Sequence, residues 1–151
     1  MPILARELVR RPPVARKEFA RRGKTVDDDH TTVGELRRLV NRFVDQRDWH
    51  QFHTPKNLSM SLAIEAAELM EHFQWLTPEE SLAVANQPDK LDRIGDEAAD
   101  VFCYLLALAN ELGLDLAAAL RRKMAKNERK YPVRQYRGRY GPEDRRPPAE
   151  A

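Results

Sequence analysis

The sequence predicts an all-α fold, a helical bundle of four to five helices, and three observations lead to that prediction. Apolar residues recur at three- and four-residue intervals through the middle of the chain. Capping and helix-breaking residues divide this stretch into segments of helical length. No segment alternates apolar and polar residues as a half-buried strand does. With 151 residues and 42% hydrophobic content, the chain suits one domain with a modest core.

Five helices are predicted, each between a residue that caps it and a residue that ends it: Thr32 to about Asp48, Asn57 to about Trp75, Thr77 to Pro88, Leu91 to Leu112, and Asp115 to Tyr131. The first begins at Thr32, because Thr32 and Glu35 have the spacing of a capping box. Leu36, Leu39 and Phe43 follow at helical intervals and supply its apolar face.

Proline and glycine set the remaining boundaries. Pro55 should break the chain before the second helix, which Asn57 should cap. The third helix has a cap residue at Thr77, a proline in its first turn and a glutamate at the third position. Gly113 stands where a left-handed cap would end the fourth helix, and Pro132 ends the fifth.

The chain divides by composition into three predicted parts. Residues 1–30 are rich in Arg and Lys and lack apolar periodicity, so we expect a mobile arm. Residues 31–132 form the helical domain. Residues 133–151 read as a basic tail, where Tyr136 and Tyr140 interleave with arginines. Binding of nucleic acid is not predicted, because no groove-reading motif accompanies this tail.

Cys103 is the only cysteine, so a disulfide within the chain is excluded and a buried, reduced thiol is expected. The first residues lack the apolar stretch of a secretory signal, and no segment is long and apolar enough to span a bilayer. A cytoplasmic protein without a membrane partner is therefore predicted.

Carboxylates carry the functional signal. Residues 31–120 hold 7 basic and 15 acidic residues, a net charge of −8. On the second helix, Glu65 and Glu68 lie three residues apart on one stripe, and Glu97 and Asp100 repeat that spacing on the fourth. Such pairs are common on solvated helix faces, but residues 57–89 contain six acids and no Lys or Arg. An antiparallel arrangement of the two helices could bring the four carboxylates together.

Four carboxylates in one site either raise one another's pKa or bind a cation, and hard oxygen ligands suit Mg²⁺ or, as an alternative, Mn²⁺. A di-iron centre would need a Glu-x-x-His motif, whereas His72 follows Leu69 at that spacing. Magnesium is commonly completed by phosphate oxygens. The sequence therefore predicts a site for a metal–phosphate complex.

Two acidic motifs, IEAAE (64–68) and DEAAD (96–100), resemble those of the MazG-like, all-α nucleoside triphosphate pyrophosphohydrolases. Three further segments are similar to the dCTP pyrophosphatase branch in wording and order: RDWHQFHTPKNL (47–58), FQWL (73–76) and KMAKNERKYP (123–132). The resemblance covers roughly residues 32–140. It implies cleavage between the α- and β-phosphates, releasing a nucleoside monophosphate and pyrophosphate, by a homo-oligomer that is a dimer or a tetramer.

The resemblance also implies roles for individual residues. Glu65, Glu68, Glu97 and Asp100 would bind the metal, and Glu65 or Glu68 would activate water. The expected contacts to the nucleotide are Trp49, His53, Trp75, Tyr104, Lys123, Asn127, Arg129 and Lys130. Without the resemblance, both tryptophans would be assigned to the core.

Alternatives stay open at this point. The substrate is expected to be dCTP or a modified dCTP, as part of house-cleaning of the nucleotide pool, but a dUTP-preferring or broad triphosphate pyrophosphatase fits the same residues. Two other classes also fit, a non-catalytic module that binds a nucleotide or protein and a structural helical oligomer without a site. Hydrolysis of a nucleoside triphosphate that requires a divalent metal would distinguish the enzyme from the binding module and from the structural oligomer.

Overall fold

The computed structural model describes residues 26–141 and Asp144. The chain divides into two compact units, residues 1–31 and 32–151. In the first unit, the Asp27 side chain accepts hydrogen bonds from the backbone N–H groups of Asp29 and His30 and so closes a turn. Most of the predicted arm and the end of the basic tail lie outside the described residues, so the three-part division stays a prediction.

The second unit consists of helices joined by turns, which confirms the all-α prediction, since the described residues contain no strand. Five of the six α-helices were predicted; the 3-10 turn that ends the third predicted helix and the sixth helix were not. In chain order they are α1 (Val33–Asp45), α2 (Pro55–Glu71), α3 (Pro78–Ala83) followed by a 3-10 turn (Val84–Asn86), α4 (Pro88–Glu111), α5 (Leu116–Lys130) and α6 (Val133–Tyr136).

Local capping sets the helix starts that the sequence predicted. Thr32 Oγ1 accepts a hydrogen bond from the backbone N–H of Glu35, whose carboxylate accepts one from the N–H of Thr32. Thr77 and Glu80 make the same reciprocal pair at the start of α3. The Asp115 carboxylate caps α5. Each cap satisfies N–H groups that the first helical turn leaves without partners.

Two predicted helix starts were wrong, because proline opens a helix at each of them instead of breaking it. Thr54 caps α2 and Pro55 is its first residue, so the helix starts before Asn57. Pro88 likewise begins α4, ahead of the predicted Leu91. A proline at the first helical position loses no hydrogen bond, because the N–H there has no partner within the helix. The prediction treated both prolines only as helix breakers.

The ends of the helices depend on residues in the left-handed backbone region. Gly113 has φ of +61° directly after α4, as predicted for a C-terminal cap. Asp48 has φ of +52°, so the chain turns there and α1 stops at Asp45 instead of reaching Asp48. Pro132 ends α5 but is followed by α6, in which Tyr136 packs edge-on against Tyr131 with ring centroids 5.2 Å apart.

The core lies where α1, α2 and α4 meet. Leu58 of α2 is 1% exposed and packs with Val40 of α1 and with Leu106 and Ala107 of α4. The start of α2 therefore lies beside the end of α4, so these two helices run antiparallel. Leu58 and Glu65 are seven residues apart and share one face of α2, so the packing that buries Leu58 also directs Glu65 toward α4.

Arg37 holds α1 to the end of α4. Its guanidinium donates to the Asn110 side chain at 2.8 Å and to the backbone carbonyls of Leu114 at 2.7 Å and Ala109 at 3.1 Å. Asn110 donates in return to the Arg37 carbonyl. The planar guanidinium reaches these acceptors from three separate nitrogen atoms, whereas the donors of a lysine ammonium all radiate from one nitrogen.

We expect Arg37→Ala to lower the free energy of unfolding by about 1–3 kcal/mol, because it removes three hydrogen bonds, two of which are partly buried. Arg37→Lys should recover only part of that loss. Urea unfolding followed by circular dichroism measures both, with Arg38→Ala, at the exposed neighbouring arginine, as the control. Equal stability of the Lys variant and the natural protein would contradict the role given to the guanidinium geometry.

Many large apolar side chains stay exposed on the single chain. They include Met60, Ile64 and Met70 of α2, Phe102 of α4, and Leu120 and Met124 of α5. No single helix of the described chain has the length and apolar character to cross a membrane; α4 and α5 reach that threshold only when counted together, and a bend of 104° separates them.

Candidate active site

The packing of α2 against α4 brings three glutamates together. Glu65 and Glu68 of α2 and Glu97 of α4 each offer a carboxylate oxygen, and these three oxygens lie within 4.8 Å of one another. Glu65 and Glu97 are half-buried, and Glu68 is exposed. Residues three apart on a helix share a face, so α2 contributes its pair locally, whereas Glu97 joins only through the contact between the helices.

Asp100 adds a fourth negative charge to this cluster. Partial burial is the main cause that raises the pKa of the Glu65 carboxyl, and the charges of Glu68, Asp100 and Glu97 raise that pKa further, in that order. Among the described residues, no Lys or Arg forms an ion pair with any of the four. Repulsion between the carboxylates is therefore balanced by a bound proton or by a cation.

The donor set fits a hard divalent cation. Carboxylate oxygens are the ligands that Mg²⁺ and Mn²⁺ take in proteins, and three of them converge here from two helices fixed by a common core. Cys103 is half-buried one turn from Asp100, and burial raises the pKa of its thiol, so it stays protonated and does not compete as a soft ligand.

The turn between α1 and α2 carries two of the predicted nucleotide contacts. Trp49 is 41% exposed, with one edge against Phe43 at a centroid distance of 5.8 Å. The His53 ring lies 6.4 Å from the Trp49 ring, and its Nδ1 atom is buried without a hydrogen-bond partner among the described residues. Trp49 thus presents ring surface to solvent next to an imidazole with an unused polar atom.

The remaining residues predicted to contact the nucleotide lie outside the turn between α1 and α2. Trp75 is 86% exposed between α2 and α3, so it is not a core residue of this chain. Tyr104 packs partly against the apolar core. Lys123, Arg129 and Lys130 are exposed on α5, which does not pack extensively on α2 or α4. Asn127 is half-buried and directs its amide toward Met124 Sδ. Their roles stay predictions.

His50 is a residue whose contacts the sequence did not reveal. Its ring lies between the carboxylates of Asp45 and Glu111. Asp45 is five residues away, but Glu111 is 61 residues away, so no local pattern could predict that pair. A helix-terminal acid facing a histidine is visible only in the folded chain.

Comparison with known proteins gives matches of three kinds. A model of the MazG-like family matches residues 60–139. The dCTP pyrophosphatase 1 of Bos taurus is 42% identical over 107 residues, 71% of this chain and 63% of that protein, and that of Homo sapiens is 41% identical over 102 residues, 68% and 60%. A pyrophosphatase from Archaeoglobus fulgidus DSM 4304 superimposes with a TM-score of 0.63 and 40% identity, over 72% of this chain and 99% of that one. The chain thus spans less than two thirds of the length of these curated relatives.

Proposed function

This chain belongs to the MazG-like family, and we propose on that premise that it is a divalent-metal-dependent nucleoside triphosphate pyrophosphohydrolase. The family match confirms the resemblance inferred from the acidic motifs. The observation that carries the proposal is the convergence of Glu65, Glu68 and Glu97 within 4.8 Å, in stretches of α2 and α4 (residues 57–71 and 94–111) that contain no Lys or Arg. Such a site would repel a triphosphate unless a cation intervened.

Glu65, Glu68, Glu97 and Asp100 are the proposed metal ligands, for Mg²⁺ first and Mn²⁺ second. When bound, the ion supplies positive charge that admits phosphate oxygens to an acidic site and lowers the pKa of a coordinated water. The four carboxylates fix where that charge lies, because two come from one face of α2 and two from one face of α4.

The proposed reaction is an in-line displacement by water at the α-phosphorus. The water oxygen forms a bond to that phosphorus, the bond to the α,β-bridging oxygen breaks, and the water proton passes to the carboxylate of Glu65 or Glu68. Products are a nucleoside monophosphate and pyrophosphate. Negative charge accumulates on the leaving group, and the cationic side chains proposed to stabilise it are Lys123, Arg129 and Lys130, with Asn127 donating a hydrogen bond.

The proposed substrate is dCTP or a modified dCTP. The names of the relatives from Bos taurus and Homo sapiens, which are 42% and 41% identical to this chain, support it. A dUTP preference or broad cleavage is the alternative, since discrimination depends on a few hydrogen bonds to the base edge. His53 Nδ1, buried and without a partner among the described residues, is the proposed acceptor for one of them.

A homo-oligomer, a dimer or a tetramer, is part of the proposal. The exposed apolar side chains of α2 and α5, together with Trp75, leave surface that a second copy would cover. Residues of α5 that lie away from the carboxylates within one chain could then reach the site of another. We place this reaction in the cytoplasm, where nucleoside triphosphates are maintained. Light scattering after gel filtration measures the assembly.

The proposal is tested by incubating the full chain with a panel of canonical and modified nucleoside triphosphates, in Mg²⁺, in Mn²⁺ or in EDTA. We expect monophosphate and pyrophosphate in equal amounts, only with metal, and fastest with a dCTP-type substrate. Release of diphosphate and inorganic phosphate would contradict the assigned bond. Absence of turnover across the panel would favour a binding module or a structural oligomer. For the structural oligomer, Glu97→Ala should stabilise the fold without divalent ions.

For Trp49→Ala, we expect KM for the preferred nucleotide to rise about five- to a hundredfold, with a smaller change in kcat, because stacking of a base on an aromatic ring is lost. Trp49→Phe is the matched control and should retain most of the affinity. Steady-state kinetics across the panel measures both values. An unchanged KM for every nucleotide would assign Trp49 to packing against Phe43 alone.

A further inference from the structure

His50 lies where two helices end. Asp45 is the last residue of α1 and Glu111 is the last residue of α4. The Nε2 atom of His50 is 2.6 Å from Asp45 Oδ1, and its Nδ1 atom is 2.9 Å from Glu111 Oε1. The second oxygen of Asp45 accepts from Asn41 one turn earlier in α1, which fixes that carboxylate.

Both contacts require a protonated ring. Ionised carboxylates only accept hydrogen bonds, and a neutral imidazole has a single N–H, so it satisfies one of the two carboxylates and turns a lone pair toward the other. The imidazolium has two N–H groups and satisfies both. Its charge is also favoured by the partial negative charge at the C-terminal ends of α1 and α4.

The surroundings favour that state. Hydrogen bonds to Asp45 and then to Glu111 raise the pKa of His50 above its ordinary value, and desolvation of the ring is a smaller, opposing cause. Among the described residues these two carboxylates are the charged groups that face the ring, one from α1 and one from α4. In the same turn, the Arg47 guanidinium lies instead over the Phe43 ring at 3.6 Å.

The segment that His50 holds is the turn 46–54, which joins α1 to α2. Its backbone is compact, since the N–H groups of Phe52 and His53 both donate to the Trp49 carbonyl. Trp49 is held to α1 by its ring contact with Phe43 and by its backbone N–H, which donates to the Val44 carbonyl. His50 adds a side-chain contact from this turn to α4, through Glu111. The protonated ring thereby adds a link between α4 and the turn that carries Trp49 and His53.

We propose that His50 is a positioning residue for the nucleotide site: as an imidazolium it ties the turn 46–54 to the ends of α1 and α4, and its deprotonation loosens the turn that carries Trp49 and His53. The expected effect on KM rests on the proposed function, whereas the expected loosening of the turn does not. The tie is complete below the ordinary pKa of histidine and is lost as pH rises through the raised pKa of the folded protein.

The structural consequence is measured by NMR titration of the full chain without nucleotide, from about pH 5 to about pH 9. The chain has four histidines, and His50→Gln identifies the His50 signal. We expect its midpoint to fall in Glu111→Gln, which removes one of the two charges, and to stay unchanged in the control Glu79→Gln. The Trp49 indole N–H resonance should shift with the same midpoint, and in His50→Gln that shift should disappear.

The kinetic consequence is measured as the ratio of KM values of Glu111→Gln and the natural protein at each pH, so that titration of the nucleotide itself cancels. We expect KM to rise about two- to fivefold as His50 loses its proton, with little change in kcat. In Glu111→Gln this rise should occur at a lower pH than in the natural protein. His50→Gln should show the raised KM at every pH.

Any of three results would overturn the inference. The His50 midpoint could be the same in Glu111→Gln as in the natural protein, the Trp49 indole resonance could stay unchanged as His50 titrates, or KM could stay unchanged as His50 loses its proton. Absence of turnover in the natural protein would count against the proposed function instead, and the NMR titration would still decide whether His50 positions the turn.

Discussion

Glu68→Gln and Asp100→Asn should each reduce pyrophosphate release at least about a hundredfold while leaving the helical fold intact. Both changes keep the size of the side chain and remove the negative charge, so they test the role as a metal ligand without creating a cavity. Electrostatic groups that act directly on the reacting phosphates typically contribute factors of about 10² to 10³. Glu68 comes from α2 and Asp100 from α4, so the two variants test the two sides of the cluster independently.

A stability measurement accompanies the kinetics. Without divalent ions, both variants should be as stable as the natural protein or more stable, because one of several facing carboxylates is neutralised. With Mg²⁺, the natural protein should gain thermal stability by mass action and the variants should gain less. Glu79→Gln in α3, outside the cluster, is the matched control for both readouts. Normal turnover in both Glu68→Gln and Asp100→Asn would remove these residues from the metal site.

Leu58→Ala should lower the free energy of unfolding by about 2–5 kcal/mol, the range for an aliphatic side chain removed from a packed core. Leu58 is 1% exposed and contacts Val40, Leu106 and Ala107, so one truncation affects the packing of α1, α2 and α4 together. Among the described residues, Leu58 is the largest side chain that is less than 2% exposed, so its truncation leaves a cavity at the centre of the cluster.

Urea unfolding at one fixed protein concentration measures this effect, since assembly makes stability depend on concentration. Leu82→Ala in α3 is the control, because Leu82 is 77% exposed and its truncation should change the stability by about 0.5 kcal/mol or less. A loss of similar size in both variants would show that Leu58 is not the centre of the core. Mg²⁺ should partly restore Leu58→Ala if the ion binds only the folded chain.

The sequence predicted the parts of this protein that depend on nearby residues. The capping pairs Thr32 with Glu35 and Thr77 with Glu80 are three residues apart, so their hydrogen bonds follow from local spacing. The helical stripes that carry Glu65 with Glu68 and Glu97 with Asp100 follow from the same periodicity. The start of α2 was missed because Pro55 opens a helix or breaks one according to the cap that precedes it.

Only the tertiary structure decided which residues that are distant in the sequence come into contact. It set the antiparallel packing that brings Glu97 to Glu65 and Glu68, since burial of Leu58 against the end of α4 fixes the register of the two helices. It also left Trp75 exposed and placed Glu111 against His50 across 61 residues. Hydrogen bonds within a helical turn are specified by a few neighbouring residues, whereas helix packing depends on apolar area buried between distant segments, which the sequence does not pair in advance.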